Sequence, residues 1–120
     1  MFSIKNLGAI AVCFVLAQAA SADYNNQDMS SACKESVDFF EGRRGLGMLG
    51  GMCGGYMLAM RDAFSVERGR IFGVCLPSAA VTPRQLVSIY YKWSQENPDR
   101  MHEYSFTGVV ASLQAVYPCK

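Results

Sequence analysis

Apolar residues recur at intervals of three and four along most of the chain after residue 30, a spacing typical of helices with one buried face. The pattern predicts a first helix that Ser30 or Ser31 would cap and that Gly42 would end. A second helix is predicted from Cys53 onwards. Its buried face would consist of Cys53, Tyr56, Met57, Met60, Ala63 and Phe64. Methionine at helical spacing favours core packing over a peptide-binding groove.

The third helix has the clearest local signal in the chain. Thr82 and Gln85 are spaced as a capping box, and Pro83 occupies the first turn, where no backbone donor is missed. Asn97 would end this helix because it precedes Pro98. The buried positions are predicted to be Leu86, Ile89, Tyr90 and Trp93, with Lys92 and Gln95 facing solvent.

A fourth helix is predicted from about Ser105 to Tyr117, followed by Pro118. Its apolar positions are Phe106, Val109, Val110, Leu113 and Val116. Between the second and third helices, residues 71–75 read as a short extended segment that returns to the core, since Gly69 and Gly73 would break a helix. The sequence therefore predicts an all-α protein, a small bundle of about four helices.

Two segments lack a clear helical period. Residues 23–30 are polar at their start and are predicted to form a flexible tail. Residues 45–55 are apolar and rich in glycine, and are interpreted as a flexible linker that runs into the second helix. Glycines at 47, 51 and 55 have the spacing of a transmembrane helix contact, but the apolar run ends at Arg61 and is too short to span a bilayer. An exposed loop of this kind would favour self-association as a homodimer.

The first 22 residues have the pattern of a cleavable export signal. Lys5 precedes an apolar run over residues 7–17, and small residues at 20–22 predict cleavage after Ala22. The run is shorter than the roughly 18 to 20 residues that span a bilayer, which disfavours an uncleaved anchor and predicts no membrane association afterwards. Cleavage would leave 98 of the 120 residues, enough for a single domain over residues 31–120.

The charge of the mature chain would be balanced. The signal removes Lys5 and leaves ten basic and ten acidic side chains, which are dispersed along the sequence. A nucleic-acid-binding protein or a protein that binds anionic membranes would show a basic run or excess. We therefore predict neither nucleic acid nor a lipid surface as a partner.

Four cysteines remain after cleavage: Cys33, Cys53, Cys75 and Cys119. An even number in a small exported domain predicts two disulfides. Three connectivities are open. If the first two helices are antiparallel, pairing of Cys33 with Cys53 is favoured, which leaves Cys75 for Cys119. Zinc binding is disfavoured because the separations are about twenty residues or more and His102 is the only histidine. No metal or other cofactor is predicted.

The sequence contains no recognisable catalytic motif, and we predict that the protein is not an enzyme. His102 follows a turn at residues 97–100, where a surface or capping role is favoured over that of a general base. Glu35 and Asp38 could share a helix face as paired carboxylates, but with Lys34 and Glu41 nearby they are interpreted as a solvated face.

Several short motifs together resemble one known family. They are a Cys-Gly-Gly-Tyr helix start at Cys53 with Asp-Ala at 62–63, Cys-Leu-Pro at 75–77, Thr-Pro-Arg-Gln-Leu-Val at 82–87, Asn-Pro at 97–98 and a closing Tyr-Pro-Cys at 117–119. Each is weak alone, but their order and spacing resemble the Rap/Tai family of exported immunity proteins. Ser78-Ala-Ala80 departs from the family, in which a glycine more usually follows Leu-Pro.

The resemblance implies a periplasmic, all-helical, disulfide-bonded protein of a Gram-negative bacterium. Such a protein would bind and occlude a type VI secretion effector, usually a peptidoglycan amidase. Contacts with the effector are expected from loops, with Arg43, Arg44, Arg68 and Arg70 as candidates. The alternative is a periplasmic stress or chaperone-like helical protein without a dedicated effector, which the Met-rich helix and the glycine stretch would suit.

Overall fold

Four α-helices form the body of the protein in a computed structural model that describes residues 23–66, 71–77 and 81–120. They are α1 (Asn26–Phe40), α2 (Met48–Val66), α3 (Pro83–Glu96) and α4 (Ser105–Val116), with 3₁₀ turns at Ile71–Gly73 and Pro98–Arg100. The predicted all-α class is confirmed. The export signal and its cleavage site lie outside the described residues and stay predictions. Within the described ranges, no helix combines the length and apolar character that crossing a membrane requires.

Helix α1 begins four residues before the earlier of its two predicted caps. Asn25 is the N-cap, since its side chain accepts from Asp28 N at 3.0 Å while Asn25 N donates to the Asp28 carboxylate at 3.2 Å. The predicted flexible tail is therefore wrong from Asn26 onwards, and Ser30 is a buried helical residue. The sequence pattern does not indicate this capping box, because aspartate replaces the usual Glu or Gln at its fourth position. The predicted stop is confirmed, because the helix ends at Phe40 and Gly42 has φ of 72°.

Helix α2 begins at Met48, five residues before its predicted start, so the linker interpretation is wrong over residues 48–55. A contact between Gly50 and α1 accounts for the helical conformation of this glycine-rich stretch. Ser36 Oγ donates to Gly50 O at 2.5 Å across the contact. A Cβ at this position would lie 3.2 Å from Ser36 N. Glycine thus allows a close approach of α2 to α1, and this packing offsets the low helix propensity of the residue.

The predicted buried face of α2 is largely confirmed. Cys53, Met57, Met60 and Phe64 are buried, which supports the core interpretation of these methionines. Tyr56 is half-buried, whereas Ala63 is exposed and its predicted place in the core is wrong. The difference arises because the contacts of α2 with α1 and α3 cover a narrower face than the apolar pattern suggested.

Helix α3 has the predicted capping box. Gln85 N donates to Thr82 Oγ1 at 3.2 Å, and Thr82 N donates to Gln85 Oε1 at 2.7 Å. Leu86 and Tyr90 are fully buried, while Ile89 and Trp93 pack against the core half-buried. Helices α1 and α3 each contact the other three helices, so the core lies between them.

Helix α4 buries Val109, Val110 and Leu113 as predicted. Phe106 and Val116 are instead 40% and 49% exposed, so their assignment to the core is wrong. They belong to the helical period, but the bundle covers only one side of α4, which packs on α3 and α1.

The connection between α2 and α3 differs from the predicted extended segment. Ile71–Gly73 form a 3₁₀ turn in which Phe72 and Gly73 both have positive φ, 55° and 70°. Val74 forms an isolated bridge with Pro118, and its side chain is fully buried. The turn thus brings the chain back to the end of α4 instead of extending along the core.

Both favoured disulfides are present. Cys33–Cys53 joins α1 to α2 with Cα atoms 5.2 Å apart, and both residues are fully buried. Cys75–Cys119 joins the segment before α3 to the C-terminus, with Cα atoms 5.0 Å apart. The two disulfides therefore constrain different parts of the bundle.

Candidate partner-binding surface

Two of the four candidate arginines, Arg43 and Arg44, lie in the loop after α1, where acidic side chains hold them. Arg43 donates to Asp38 Oδ1 through Nη2 at 2.7 Å and through Nε at 3.2 Å, and also pairs with Glu41. Arg44 Nη2 lies 3.7 Å from Glu35 Oε2. Both side chains stay more than half exposed, so they can still be reached from solvent. Arg68 and Arg70 lie outside the described residues.

The carboxylates of Glu35 and Asp38 do not form the predicted solvated face. Their side chains are only 11% and 10% exposed. Asp38 also accepts from Lys34 Nζ at 2.7 Å, and the hydrogen bonds from Lys34 and Arg43 hold the pKa of its carboxyl below the usual range. Glu35 lies against Gly47, where a Cβ would collide with the carboxylate. Each carboxylate thus pairs with a different arginine, which argues against a catalytic pair.

The Asp38 cluster gives an expected pH dependence. A carboxyl whose pKa is lowered on folding adds stability above its unfolded pKa of about 3.9, and this stability is lost as the pH falls through the folded pKa. We expect Asp38→Asn to be less stable than the wild type at pH 7 and the difference to shrink below about pH 4. Urea denaturation across pH 2 to 7 measures it, with exposed Asp62→Asn as control. A difference that stays constant with pH would contradict this assignment.

The remaining polar cluster lies near the start of α1. His102, Glu103 and Tyr104 line an open cavity of about 510 Å³ together with Asp23 and Asn25. His102 is exposed, which agrees with its predicted surface position. Glu103 accepts from Arg100, which lowers the pKa of its carboxyl. Within residues 23–66, 71–77 and 81–120, no group of three His, Cys, Asp or Glu residues could hold a metal ion.

An exposed apolar face runs along α2, and the sequence interpretation missed it. Met48, Gly51, Met52, Gly55 and Ala59 recur at helical intervals on the side opposite the buried residues. Met48 is 86% exposed, and a Cβ at Gly51 or Gly55 would have no neighbour within 4 Å. The glycine spacing at 47, 51 and 55 indicates this face only if the stretch is helical, whereas the linker interpretation excludes a helix there. Each exposed helical glycine costs about 1 kcal/mol relative to alanine, with no packing contact of its own to offset it.

A second apolar surface lies where the Ile71–Gly73 turn meets α4. The rings of Phe72 and Phe106 meet edge to face with centroids 5.3 Å apart, beside a cavity of about 370 Å³. Phe72 is 55% exposed although its left-handed backbone costs roughly 1–2 kcal/mol in a residue other than glycine. Apart from the neighbouring Gly73, no sequence feature indicates this strain.

The comparison with family models agrees with the motifs, the fold and the disulfides. The model of the Rap1a immunity proteins matches residues 25–119, from the N-cap of α1 to the last cysteine. No curated protein and no solved structure matches the chain. Because the family model covers most of the sequence and both disulfides, the chain belongs to the family of Rap1a immunity proteins.

Proposed function

We propose that this protein is exported to the periplasm and protects its cell by binding and occluding a cognate secreted effector, a peptidoglycan amidase delivered by type VI secretion. Membership of the Rap1a immunity family over residues 25–119 is the observation that carries the proposal. Two disulfides in a small domain support an oxidising compartment, as does the signal pattern that precedes Asp23.

The mode of action would be stoichiometric binding and not catalysis. In the part of the chain that the structure describes, the acidic groups first considered for catalysis are held in ion pairs. The protein instead offers a disulfide-bonded scaffold with exposed apolar and cationic side chains. Aromatic residues and arginine are enriched in protein interfaces, where rigidity lowers the entropy lost on binding.

The effector would be contacted in part by the loop arginines. We expect charge reversal of Arg44, Arg68 and Arg70 together to weaken effector binding about tenfold, mainly through slower association, because exposed charges at an interface rim steer the encounter. Surface plasmon resonance at two salt concentrations measures this effect. Arg43 is left unchanged because it holds Asp38. Reversal of exposed Lys92 is the matched control, and unchanged association would refute the placement.

A homodimer is part of the proposal, with the exposed face of α2 as its interface. A second copy packed across a two-fold axis would bury this face against itself, and the glycines would let the two backbones approach closely. The chain carries only one charged residue, Asp62, among the exposed positions from Met48 to Ala63. Such a surface suits a neighbouring helix better than water.

Gly55→Gln distinguishes the stability of the protomer from the stability of the dimer. We expect the isolated protomer to gain up to about 1 kcal/mol because glutamine favours the helix, and the dimer to weaken because the larger side chain keeps the backbones apart. Urea denaturation at low protein concentration and sedimentation equilibrium measure the two effects. Ser88→Gln, at an exposed position on α3, is the control. A dimerisation constant that Gly55→Gln leaves unchanged would refute this interface.

Competition between a deletion strain and its parent tests the function. We expect parent cells to kill cells that lack the gene, and the exported chain to restore survival while a chain without its signal does not. Survival of the deletion strain without complementation would contradict the proposal. The chaperone-like alternative, which the exposed apolar face of α2 would suit, predicts that the purified chain suppresses the aggregation of unrelated proteins at low pH.

A further inference from the structure

The Ile71–Gly73 turn presents an aromatic side chain in a conformation that the isolated protein does not need. Phe72 has φ of 55° and ψ of 23°, a left-handed conformation that glycine adopts freely. Its ring is more than half exposed, so burial in the core does not offset the strain. Strained residues that burial does not explain concentrate at binding sites and active sites.

The turn is held rigidly on the end of α4. Gln114 Nε2 donates to Phe72 O, Cys119 N donates to Gly73 O at 3.2 Å, and Cys75 N donates to Tyr117 O at 2.8 Å. The Cys75–Cys119 disulfide closes the same junction, and Val74 anchors it in the core. Phe72 is therefore presented in a fixed position, which reduces the entropy lost when a partner binds.

The surroundings of Phe72 define the chemistry of an occupant. Phe106, Val110 and Ala111 give the adjoining cavity an apolar lining, and its volume of about 370 Å³ can take up an apolar side chain. Arg100 lies at the same cavity. Its guanidinium lies over the Trp93 ring, 5.1 Å from the centroid, and Glu103 accepts from its Nε and Nη2. An apolar side chain next to a carboxylate would match the apolar lining of the cavity and the positive charge of Arg100.

We propose that the Phe72–Phe106 cavity is the anchor by which the chain holds its effector, taking up one apolar side chain that is flanked by a carboxylate. This inference rests on the proposed immunity function and assigns its main contact to an aromatic pair. A buried aromatic contact at the centre contributes more to affinity than exposed charges around it.

The test uses Phe72→Gly, because glycine adopts the same backbone without strain while the ring is lost. We expect the melting temperature to stay within about 4 °C of the wild type and effector affinity to fall at least 30-fold. The probe is the parent strain, which delivers its own effector to deletion cells that express each variant in the periplasm. Survival with Phe72→Gly should fall at least tenfold below survival with the wild-type chain.

Two further variants control the experiment. Phe39→Ala removes a ring that is 41% exposed on α1 and should protect like the wild type. Phe106→Ala leaves the turn unchanged and should lose protection. If Phe72→Gly reaches a lower periplasmic level than the wild type, survival with Phe106→Ala tests the anchor in its place. Equal protection by Phe106→Ala and the wild type, or equal loss with Phe39→Ala, would overturn the proposed anchor.

The outcomes also separate this inference from the function on which it rests. If Phe72→Gly protects as well as the wild type at the same periplasmic level, the anchor is wrong and the immunity function stands. If the wild-type chain itself gives no protection, the immunity function is wrong and the anchor falls with it. If Phe72→Gly abolishes self-association but not protection, the occupant is a second copy and the proposal is overturned.

Discussion

Removing the Cys33–Cys53 disulfide should lower the free energy of unfolding by about 3 kcal/mol, and removing Cys75–Cys119 by about 4 kcal/mol. The chain-entropy model gives these values for cross-links between residues 20 and 44 positions apart. A small domain is stable by only about 5 to 15 kcal/mol. Loss of both disulfides should therefore leave little or no folded protein at 37 °C.

Urea denaturation of the oxidised and the reduced wild-type chain measures the combined effect without any change of sequence. Cys75→Ala with Cys119→Ala then isolates the second disulfide. This pair is informative because Cys119 is exposed, so truncation leaves no large cavity in the core. Circular dichroism reports whether the four helices persist. A melting temperature that reduction leaves unchanged would contradict the stabilising role of both disulfides.

Replacing Asn26 should have a comparable effect, because this residue joins three parts of the bundle. Its side chain is fully buried, its Nδ2 donates to Arg100 O at 3.0 Å, and its Oδ1 accepts from Tyr90 Oη at 2.9 Å. Asn26→Ala would remove both side-chain hydrogen bonds, at about 0.5 to 1.5 kcal/mol each, and would leave a cavity where the amide packs. Tyr90 Oη would keep the main-chain oxygen of residue 26 as a partner, and Arg100 O would keep Glu103 N. We expect a loss of about 3 kcal/mol in urea denaturation.

Gly108→Ala tests the same junction from the side of α4. A Cβ at Gly108 would collide with the amide of Asn26, so the helix or the amide must move and the hydrogen bonds with it. We expect a loss of at least 2 kcal/mol, within the range for overpacked cores. Gly54→Ala is the matched control, since its Cβ would meet nothing within 4 Å and alanine favours the helix. Equal stability of the two variants would contradict this role of the Asn26 amide.

The parts of the fold that could be predicted depend on local chemistry. The capping box of Thr82 and Gln85 is local, since two side chains and two amides within four residues determine where α3 begins. The cysteine pairing followed from the expected antiparallel course of the first two helices. The start of α1 was missed because its capping box uses Asp28.

The start of α2 could not be predicted from local preferences. Glycines disfavour a helix when taken alone, and the helix over residues 48–52 depends on the contact between Gly50 and α1, which only the tertiary structure supplies. Tertiary packing also explains why Phe72 and Phe106 are exposed and not in the core. Their apolar character indicated the core, but which side of α4 the bundle covers is decided by helix packing and by the turn at Gly73.

The candidate surface was predicted in part. A loop arginine was a reasonable candidate by residue type, but the sequence could not show that Arg43 is bound by a buried Asp38. It also could not separate the glycines that pack against α1 from those that face solvent on α2. Both distinctions depend on the orientation of α2 against α1.

The most direct measurement of the central claim is inhibition of cell-wall cleavage by the purified mature chain. The enzyme to use is an exported peptidoglycan hydrolase encoded beside the gene, with release of peptidoglycan fragments as the readout. The account predicts that cleavage stops at a stoichiometric amount of the oxidised chain and that the two proteins elute as one complex. Full hydrolase activity in a large excess of the folded chain, with no complex, would contradict the account.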